Sequence, residues 1–346
     1  MFSEDIRLNK TFNGSEKFRF NTRLFTNNNP KTVRKWEDFY TLSRDYKLLF
    51  SGVHMMPKTR RNLMDPMPVG VKDKMVITDI GGLDILTNEA LQYANKFMVK
   101  GDIWKTWMNK MGYPNVFVTG CPQYDYYLHS DLIGIDDAKV LSKNDFLKKY
   151  NIDGDKKILL IAPSNPACHT DQFNKNMSEF ENISRLAEKN NFQVIIKTYP
   201  HDYVFHERES KYNGVYKRIY NNSKPQFEIV KSHISNSIVI ESQDHFSALL
   251  YSDILFNMSG SHVAWETYFT KTQSFSMNYK KQIYFGSVRY LPDYVKLPDG
   301  IINIEIENSA DLFSDSRSDK RGMDEYISRE FSLPNILKHA ESLLEI

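Results

Sequence analysis

Short apolar runs that end in small polar residues alternate with segments of helical periodicity along most of the chain. The run KILLIA at residues 157–162 is the clearest, because it has the length of a buried strand and a proline closes it. Alternating strands and helices imply right-handed crossovers, and therefore parallel sheets covered on both faces. The predicted strands are residues 46–52, 74–80, 96–100, 115–119, 157–162, 193–197, 237–241, 253–256 and 273–277. The predicted helices are residues 32–40, 84–94, 104–111, 145–150, 177–189, 246–251, a segment through Trp265 to Phe269, and a last helix from about Pro334.

Two domains are expected from the length and from a change in composition midway along the chain. A chain of 346 residues is longer than one hydrophobic core usually supports. Apolar residues become sparse over residues 131–155 while Gly and Asp increase, which is typical of a domain boundary. The predicted organisation is an N-terminal α/β domain over residues 1–135, a linker over 136–155, a C-terminal α/β domain over 156–330 and a C-terminal helix over 331–346.

The stretch from residue 251 to residue 279 contains the strongest candidate for a ligand site. Its predicted strand runs into Ser259, Gly260 and Ser261, and these residues open a helix that contains Glu266. Backbone N–H groups and the positive end of a helix dipole at such a position favour a phosphate or diphosphate. A carboxylate on that helix is suited to accept hydrogen bonds from a ribose diol. The competing interpretation is that the serines only cap the helix and that Glu266 is solvated surface.

Further polar residues follow other predicted strands, at the positions where open α/β sheets bind ligands. His54 and Lys58 follow the first predicted strand, Ser164 follows the KILLIA strand, and Lys197 and His201 lie at the end of the next one. An imidazole ordinarily titrates near neutral pH, so a histidine there is suited to take a proton from a hydroxyl nucleophile. The alternative for His54 is a histidine with a purely structural role in a loop.

Composition narrows the class of protein. The formal net charge is +2 and the isoelectric point is about 8.2, which indicates no strong field for nucleic acid or an anionic membrane. Cys121 and Cys168 lack metal-ligand spacing, and this argues against a zinc site or disulfide scaffold and favours a reducing compartment. No apolar run approaches the roughly 18 residues of a membrane span, and the charged N-terminus is unlike a secretory signal. We therefore expect a soluble, cytoplasmic protein, with peripheral membrane association left open.

Five segments of the chain resemble motifs of a known family, and they occur in the same order as in that family. The chain resembles bacterial CDP-glycerol glycerophosphotransferases and, more loosely, the glycosyltransferases of the GT-B fold. The resemblance covers about residues 46–279 and implies two doubly wound, Rossmann-like α/β domains facing a cleft, with an N-terminal domain that is shorter than a complete one. The segments are SGVHMMPK at 51–58, FVTGCPQYD at 117–125, ILLIAPSN at 158–165, VIIKTYP at 194–200 and DILFNMSGSHVAWE at 253–266.

Three positions depart from the pattern of that family. Met55 stands in place of the glycine after the family histidine, Tyr199 in place of a second histidine, and Asn257 in place of an aspartate before the serines. These departures leave the identity of the donor open. His201, which follows shortly after Tyr199, is a candidate to supply the missing imidazole.

The resemblance implies transfer of a sugar or polyol phosphate from a nucleotide-activated donor to an acceptor hydroxyl. The donor would bind the C-terminal domain, and His54 in the acceptor-side N-terminal domain would deprotonate the acceptor. No bound metal and no cofactor are expected, because cationic side chains and a helix dipole stabilise the leaving nucleotide. The predicted residues are His54 and Lys58 for catalysis, and Ser164, Lys197, Tyr199, His201, Ser259, Gly260, Ser261, His262 and Glu266 for donor binding.

Two other classes of protein stay open. A nucleotide-sugar epimerase shares the fold but needs additional carboxylates, for which Asp79 and Asp84 are the candidates. A non-catalytic nucleotide-sugar binding protein would account for the changes at Met55 and Tyr199. If the protein is a transferase, its donor is a nucleotide sugar or a CDP-polyol. Its acceptor is then a glycan, a lipid-linked polymer or another hydroxyl compound, and a nucleic acid acceptor is not indicated.

Overall fold

The computed structural model divides the chain into two compact units. Unit 1 consists of Met1–Leu128, Ser287–Lys296 and Gly322–Ile346, and unit 2 consists of His129–Gly286 and Leu297–Arg321. The residues that the structure describes are 3–4, 20–21, 47–52, 70–78, 94–122, 124–128, 140–163, 170–198, 226–241, 244–257, 263–277, 304–314, 323–325 and 327–344.

The described residues contain twelve strands, most of them short. They are β1 (Ser3–Glu4), β2 (Phe20–Asn21), β3 (Leu49–Gly52), β4 (Met75–Thr78), β5 (Lys96–Val99), β6 (Asn115–Val118), β7 (Lys157–Ala162), β8 (Phe192–Lys197), β9 (Ile238–Ile240), β10 (Ile254–Asn257), β11 (Gln273–Met277) and β12 (Ile304–Ile306).

Nine α-helices lie within the same described ranges. They are α1 (Val71–Lys74), α2 (Asp102–Lys110), α3 (Asp125–Leu128), α4 (Lys143–Tyr150), α5 (Thr170–Lys189), α6 (Gln226–His233), α7 (His245–Tyr251), α8 (Val263–Glu266) and α9 (Ser332–Leu344). Short 3-10 helices cover Thr267–Phe269, Ser309–Phe313 and Met323–Glu325. None of the described helices is both long and apolar enough to cross a membrane.

Unit 2 is built on a six-stranded sheet in the order β12-β11-β10-β7-β8-β9. Every neighbouring pair in this sheet is parallel. The chain starts in the middle at β7, moves outward to β9, and then returns to β10 on the other side of β7. This is the strand order of dinucleotide-binding Rossmann domains, and it places the point where the winding reverses between β7 and β10.

Both faces of this sheet are buried, as the crossovers of a parallel sheet require. Leu159 and Ile161 of β7 pack in one cluster with Phe180 and Ile183 of α5, which covers the first face. The alternate β7 residue Leu160 is also fully buried, so the second face is covered as well. Right-handed connections place α7 and α8 on that second face, because the strand order reverses at β7.

Unit 1 contains a four-stranded parallel sheet in the order β3-β4-β5-β6. Buried Val76 of β4 and Met98 of β5 pack against Ile336, which lies on α9. The C-terminal helix therefore closes the core of unit 1, although it is distant from that sheet in sequence. The predicted α/β class with parallel sheets is confirmed, and the reversed strand order of a doubly wound domain is present in unit 2.

The start of α9 is fixed by two residues that follow β6. Buried Asp125 accepts hydrogen bonds from the backbone N–H of Ser332, at 3.0 Å, and from the Ser332 hydroxyl. Gly120 has φ +78°, and a Cβ atom there would lie 3.1 Å from the carbonyl oxygen of Glu330. A glycine is therefore required at the point where α9 begins against β6.

Several predicted elements differ from those of the structure. The prediction of residues 273–277 as the final strand is wrong, because β12 adds to the sheet beside β11. Helix α5 begins at Thr170, well before the predicted start at residue 177. The prediction missed its first turns because they are polar and lack apolar periodicity. Helix α6 was not predicted. The predicted helix at 32–40, and that at 84–94 apart from its last residue, lie outside the described residues.

The contact between Asp125 and Ser332 leads to a prediction about stability. Asp125→Ala should lower the free energy of unfolding of unit 1 by about 2 to 3 kcal/mol, because two hydrogen bonds to a buried carboxylate are lost and Ser332 stays buried. Urea unfolding measures this difference. The control is Asp102→Ala, which removes an exposed carboxylate from the first turn of α2 and should cost less than about 1 kcal/mol. Equal losses in the two variants would contradict the role assigned to Asp125.

Candidate functional site

The candidate site lies at the carboxyl edge of the unit 2 sheet, where the winding reverses. The chain leaves β7 towards α5 and leaves the neighbouring strand β10 towards α8, on opposite faces of the sheet. Connections that diverge in this way leave a crevice in which open α/β sheets bind their ligands. At this edge, buried Asn257 is the register partner of buried Ala162.

Two polar residues end their strands on the same face of the sheet. Ile196 of β8 and Phe256 of β10 belong to the cluster on the α5 side. Side chains alternate along a strand, so the next residues, Lys197 and Asn257, lie on the side of α7 and α8. Asn257 is fully buried and belongs to β10, whereas the sequence placed it in the loop. A neutral amide is easier to bury there than the aspartate of the family pattern.

Glu266 is buried at the end of α8, and its side chain is only 2% exposed. The alternative that Glu266 is solvated surface is therefore wrong. Helix α8 spans only Val263–Glu266 before the backbone tightens into a 3-10 turn. A helix of this length has a small dipole, so anion binding at this edge depends on individual N–H groups and cationic side chains.

One partner of Glu266 is a histidine that was not among the predicted site residues. His245 Nε2, on the first residue of α7, lies 3.3 Å from Oε2 of Glu266. The His245 side chain is 18% exposed, so the pair lies mostly away from water. A histidine that follows β9 by five residues was a usable signal, but pairing it with Glu266 required the tertiary structure.

Beside His245, a cluster of four side chains attaches α4 to the same edge of the sheet. Lys149 Nζ donates to Glu241 Oε2 at 2.8 Å and to Asp244 Oδ2 at 2.6 Å. The Tyr150 hydroxyl donates to Asp244 and accepts from the backbone N–H of Glu241 at 3.1 Å. Buried Asp244 immediately precedes His245, so this cluster also holds the start of α7 in place.

The cluster shifts the pKa of two of its members. Burial, and then the hydrogen bond to Asp244, raises the pKa of the Tyr150 hydroxyl above its ordinary value. Burial alone would lower the pKa of Lys149, but the hydrogen bonds to Asp244 and Glu241 outweigh it, and the net effect is a raised pKa. Tyr150 is therefore neutral and Lys149 cationic throughout the physiological pH range.

Of the predicted site residues, the structure brings Lys197 and Glu266 to one face of one sheet edge. The others lie outside the described residues: His54, Lys58, Ser164, Tyr199, His201, Ser259, Gly260, Ser261 and His262. The same holds for Met55 and for the epimerase candidates Asp79 and Asp84. Their roles stay predictions.

A pair of aspartates with one residue between them lies at the opposite end of β7. The backbone N–H of Asp155 donates to Oδ1 of Asp153 at 3.0 Å, which closes the turn before the strand. This turn is at the amino edge of the sheet. The two carboxylates therefore do not contribute to the candidate site at the carboxyl edge.

Comparison with known proteins gives similarities to solved structures only. No protein-family model matches the sequence, and no curated protein matches it. The UDP-GlcNAc 2-epimerase of Methanocaldococcus jannaschii in complex with UDP-GlcNAc and UDP is 12% identical, with a TM-score of 0.44 over 98% of this chain and 84% of that one.

Two transfer enzymes are similar at the same level. A variant of the wall teichoic acid polymerase TagF is 12% identical, with a TM-score of 0.45 over 78% of this chain and 68% of that one. The ADP-heptose lps heptosyltransferase II of E. coli is 8% identical, with a TM-score of 0.37 over 89% of this chain and 80% of that one. Similarity at these scores gives no information about the ligand or the reaction of this chain.

The α4 cluster leads to a second prediction about stability. Tyr150→Phe should lower the free energy of unfolding by about 1 to 2 kcal/mol, because Asp244 loses a donor and the N–H of Glu241 loses an acceptor. The pKa of Tyr150 is higher in the folded state than its ordinary value of 10.0. The contribution is therefore complete below about pH 10 and is lost as the pH rises through the folded-state value.

Urea unfolding at pH 7 and at pH 10.5 measures both effects. The control is Tyr113→Phe, which keeps the edge contact of that ring with Phe97 and should change stability by less than about 0.5 kcal/mol. If Tyr150→Phe is as stable as the wild-type protein at pH 7, the Tyr150 hydroxyl does not contribute to holding α4.

Proposed function

We propose that the protein is a glycosyltransferase-type enzyme that moves a sugar, or a polyol phosphate, from a nucleotide-activated donor to an acceptor hydroxyl. The observation that carries the proposal is that Lys197, Asn257 and the His245–Glu266 pair lie on one face of a Rossmann-ordered sheet, at the carboxyl edge where its winding reverses. Polar groups that meet at such a point are the usual polar lining of a nucleotide site.

The donor diphosphate is assigned to the loops that leave β7 and β10. These loops carry Ser164 after β7, and Ser259, Gly260, Ser261 and His262 after β10. Since β7 and β10 are register neighbours up to Ala162 and Asn257, both loops start side by side. Lys197, with Tyr199 and His201 directly after β8, supplies positive charge and hydrogen-bond donors from the adjacent strand.

The ribose of the donor is assigned to Glu266. A carboxylate taken out of water is unfavourable unless it is paired and hydrogen-bonded, and Glu266, which is 2% exposed, is paired with His245. Two adjacent ribose hydroxyls offer two O–H donors to one carboxylate. The burial of Glu266, on the helix that follows the β10 loop in sequence, argues against a surface role and supports this assignment.

The chemical step is a displacement at the donor. His54 takes the proton from the acceptor hydroxyl, and the acceptor oxygen forms a bond to the anomeric carbon or, with a CDP-polyol, to the phosphorus. The bond to the nucleotide oxygen breaks, and the nucleotide leaves with the electron pair. Lys197 and loop N–H groups offset its negative charge, so the proposed reaction needs no metal and no cofactor. The proposed setting is cytoplasmic glycan biosynthesis.

A ligand screen and a variant test the donor assignment. CDP, UDP and GDP should be screened by thermal shift, since a ligand bound only by the folded state raises its stability. For the nucleotide that binds, Glu266→Ala should weaken affinity by about 1 to 3 kcal/mol, or roughly 5-fold to 150-fold, measured by calorimetry.

The matched control for this test is Glu181→Ala in the same unit. The side chain of Glu181 is 83% exposed, so its removal should leave nucleotide affinity unchanged. Glu266→Gln keeps the volume of the buried side chain, so this variant separates loss of the carboxylate charge from a folding defect caused by a cavity. Nucleotide affinity within a factor of two of wild type in folded Glu266→Ala would contradict the assignment.

The base assignment generates a separate prediction. His54→Ala should reduce turnover by about 100-fold to 10,000-fold, because the acceptor hydroxyl then loses its general base. Nucleotide affinity and thermal stability should hardly change, because the base acts on the acceptor. The measurement is release of free nucleotide at saturating donor and acceptor, with His233→Ala as the control that retains turnover. Turnover within a few-fold of wild type would exclude His54, and His201 or His262 would be tested next.

A further inference from the structure

The His245–Glu266 pair differs from a second histidine–glutamate pair in the same unit. His233 Nδ1 lies 4.0 Å from Oε1 of Glu181, whose side chain is 83% exposed. An exposed pair of this kind contributes little, because water competes for both partners. In the His245–Glu266 pair the atoms are 3.3 Å apart and the glutamate is 2% exposed, so the imidazole replaces water at one carboxylate oxygen.

The location of His245 is itself fixed by its neighbours. It is the first residue of α7, and the preceding residue Asp244 is held by both Lys149 and Tyr150. Its ring contacts that of Phe246, with 3.8 Å between the ring centroids. The imidazole is therefore held in place against one carboxylate oxygen of Glu266.

We propose that His245 is a positioning residue that orients Glu266 so that the site selects a nucleoside diphosphate with an intact ribose diol over its 2′-deoxy form. This inference rests on the proposed function, in which Glu266 binds the ribose. With one carboxylate oxygen set by His245, the carboxylate plane is fixed, and both ribose hydroxyls donate to it only in that orientation. A ligand that lacks the 2′-hydroxyl loses one of these two hydrogen bonds.

Ribose selectivity then depends on a residue that does not itself contact the sugar. Without the imidazole, Glu266 loses this contact, and its carboxylate aligns less well with the pair of ribose hydroxyls. Affinity for the ribose form then falls towards that for the 2′-deoxy form. A purely structural histidine would change both affinities in parallel and leave their ratio unaltered.

The test measures the affinity ratio between a nucleoside diphosphate and its 2′-deoxy analogue by calorimetry. The probes are UDP with 2′-deoxy-UDP, and CDP with 2′-deoxy-CDP. Two variants of similar side-chain size are compared: His245→Gln keeps an N–H group near the position of Nε2, and His245→Leu does not. His233→Ala is the matched control, and thermal unfolding confirms that each protein is folded.

The wild-type protein, His233→Ala and His245→Gln should prefer the ribose form by about tenfold or more, the size expected for one hydrogen bond to a charged acceptor. In His245→Leu the preference should fall to about threefold or less. Retention of the full preference in His245→Leu would overturn the inference, as would an equal loss in His245→Gln and His245→Leu.

Glu266→Ala separates this inference from the proposed function. If Glu266→Ala loses the ribose preference and His245→Leu keeps it, only the role of His245 is wrong. If Glu266→Ala also keeps the preference, the ribose assignment in the proposed function is wrong. If the wild-type protein binds none of the four probes, the proposed function and the inference fail together.

Discussion

The parallel pairing of β7 with β10 is the contact on which the rest of unit 2 depends. It brings a strand from the start of the unit beside one that lies about a hundred residues later in the sequence, with Ile254 opposite Leu159 and Asn257 opposite Ala162. Asp253 fixes the register at the amino end, because its carboxylate accepts from the backbone N–H of Ile158 at 2.8 Å. With the register set at one end, the carboxyl ends of both strands finish level, and their loops leave from one edge.

The same pairing explains why polar residues from four elements meet at that edge. Lys197 ends β8 and Asn257 ends β10, while His245 begins α7 and Glu266 ends α8. Helices α7 and α8 lie on one face because the chain reverses direction at β7. The cluster of Lys149, Tyr150, Glu241 and Asp244 then secures the start of α7. The fold and the candidate site thus share residues, so destabilising α4 should also disturb His245.

The parts of the fold that the sequence predicted correctly are those with a strong local pattern. KILLIA coincides with β7, because its five consecutive apolar residues have the length of a buried strand, and the structure buries all five. Polar first turns obscure the start of α5, and β12 is too short to stand out. The burial of Glu266 was not predictable, because its partner His245 lies on another helix and no local pattern links them. Similarly, the attachment of α9 to unit 1 depends on Asp125, which is far from Ser332 in sequence.

In the proposed function, a nucleoside diphosphate binds at the carboxyl edge of the unit 2 sheet. Hydrogen–deuterium exchange with and without a saturating nucleoside diphosphate tests this claim most directly, because protection is read segment by segment. We expect slower exchange in residues 257–266 and in the segment after Pro163, with no change in the turn at residues 153–156 on the amino edge. Protection confined to unit 1, or to the amino edge of the unit 2 sheet, would contradict the account.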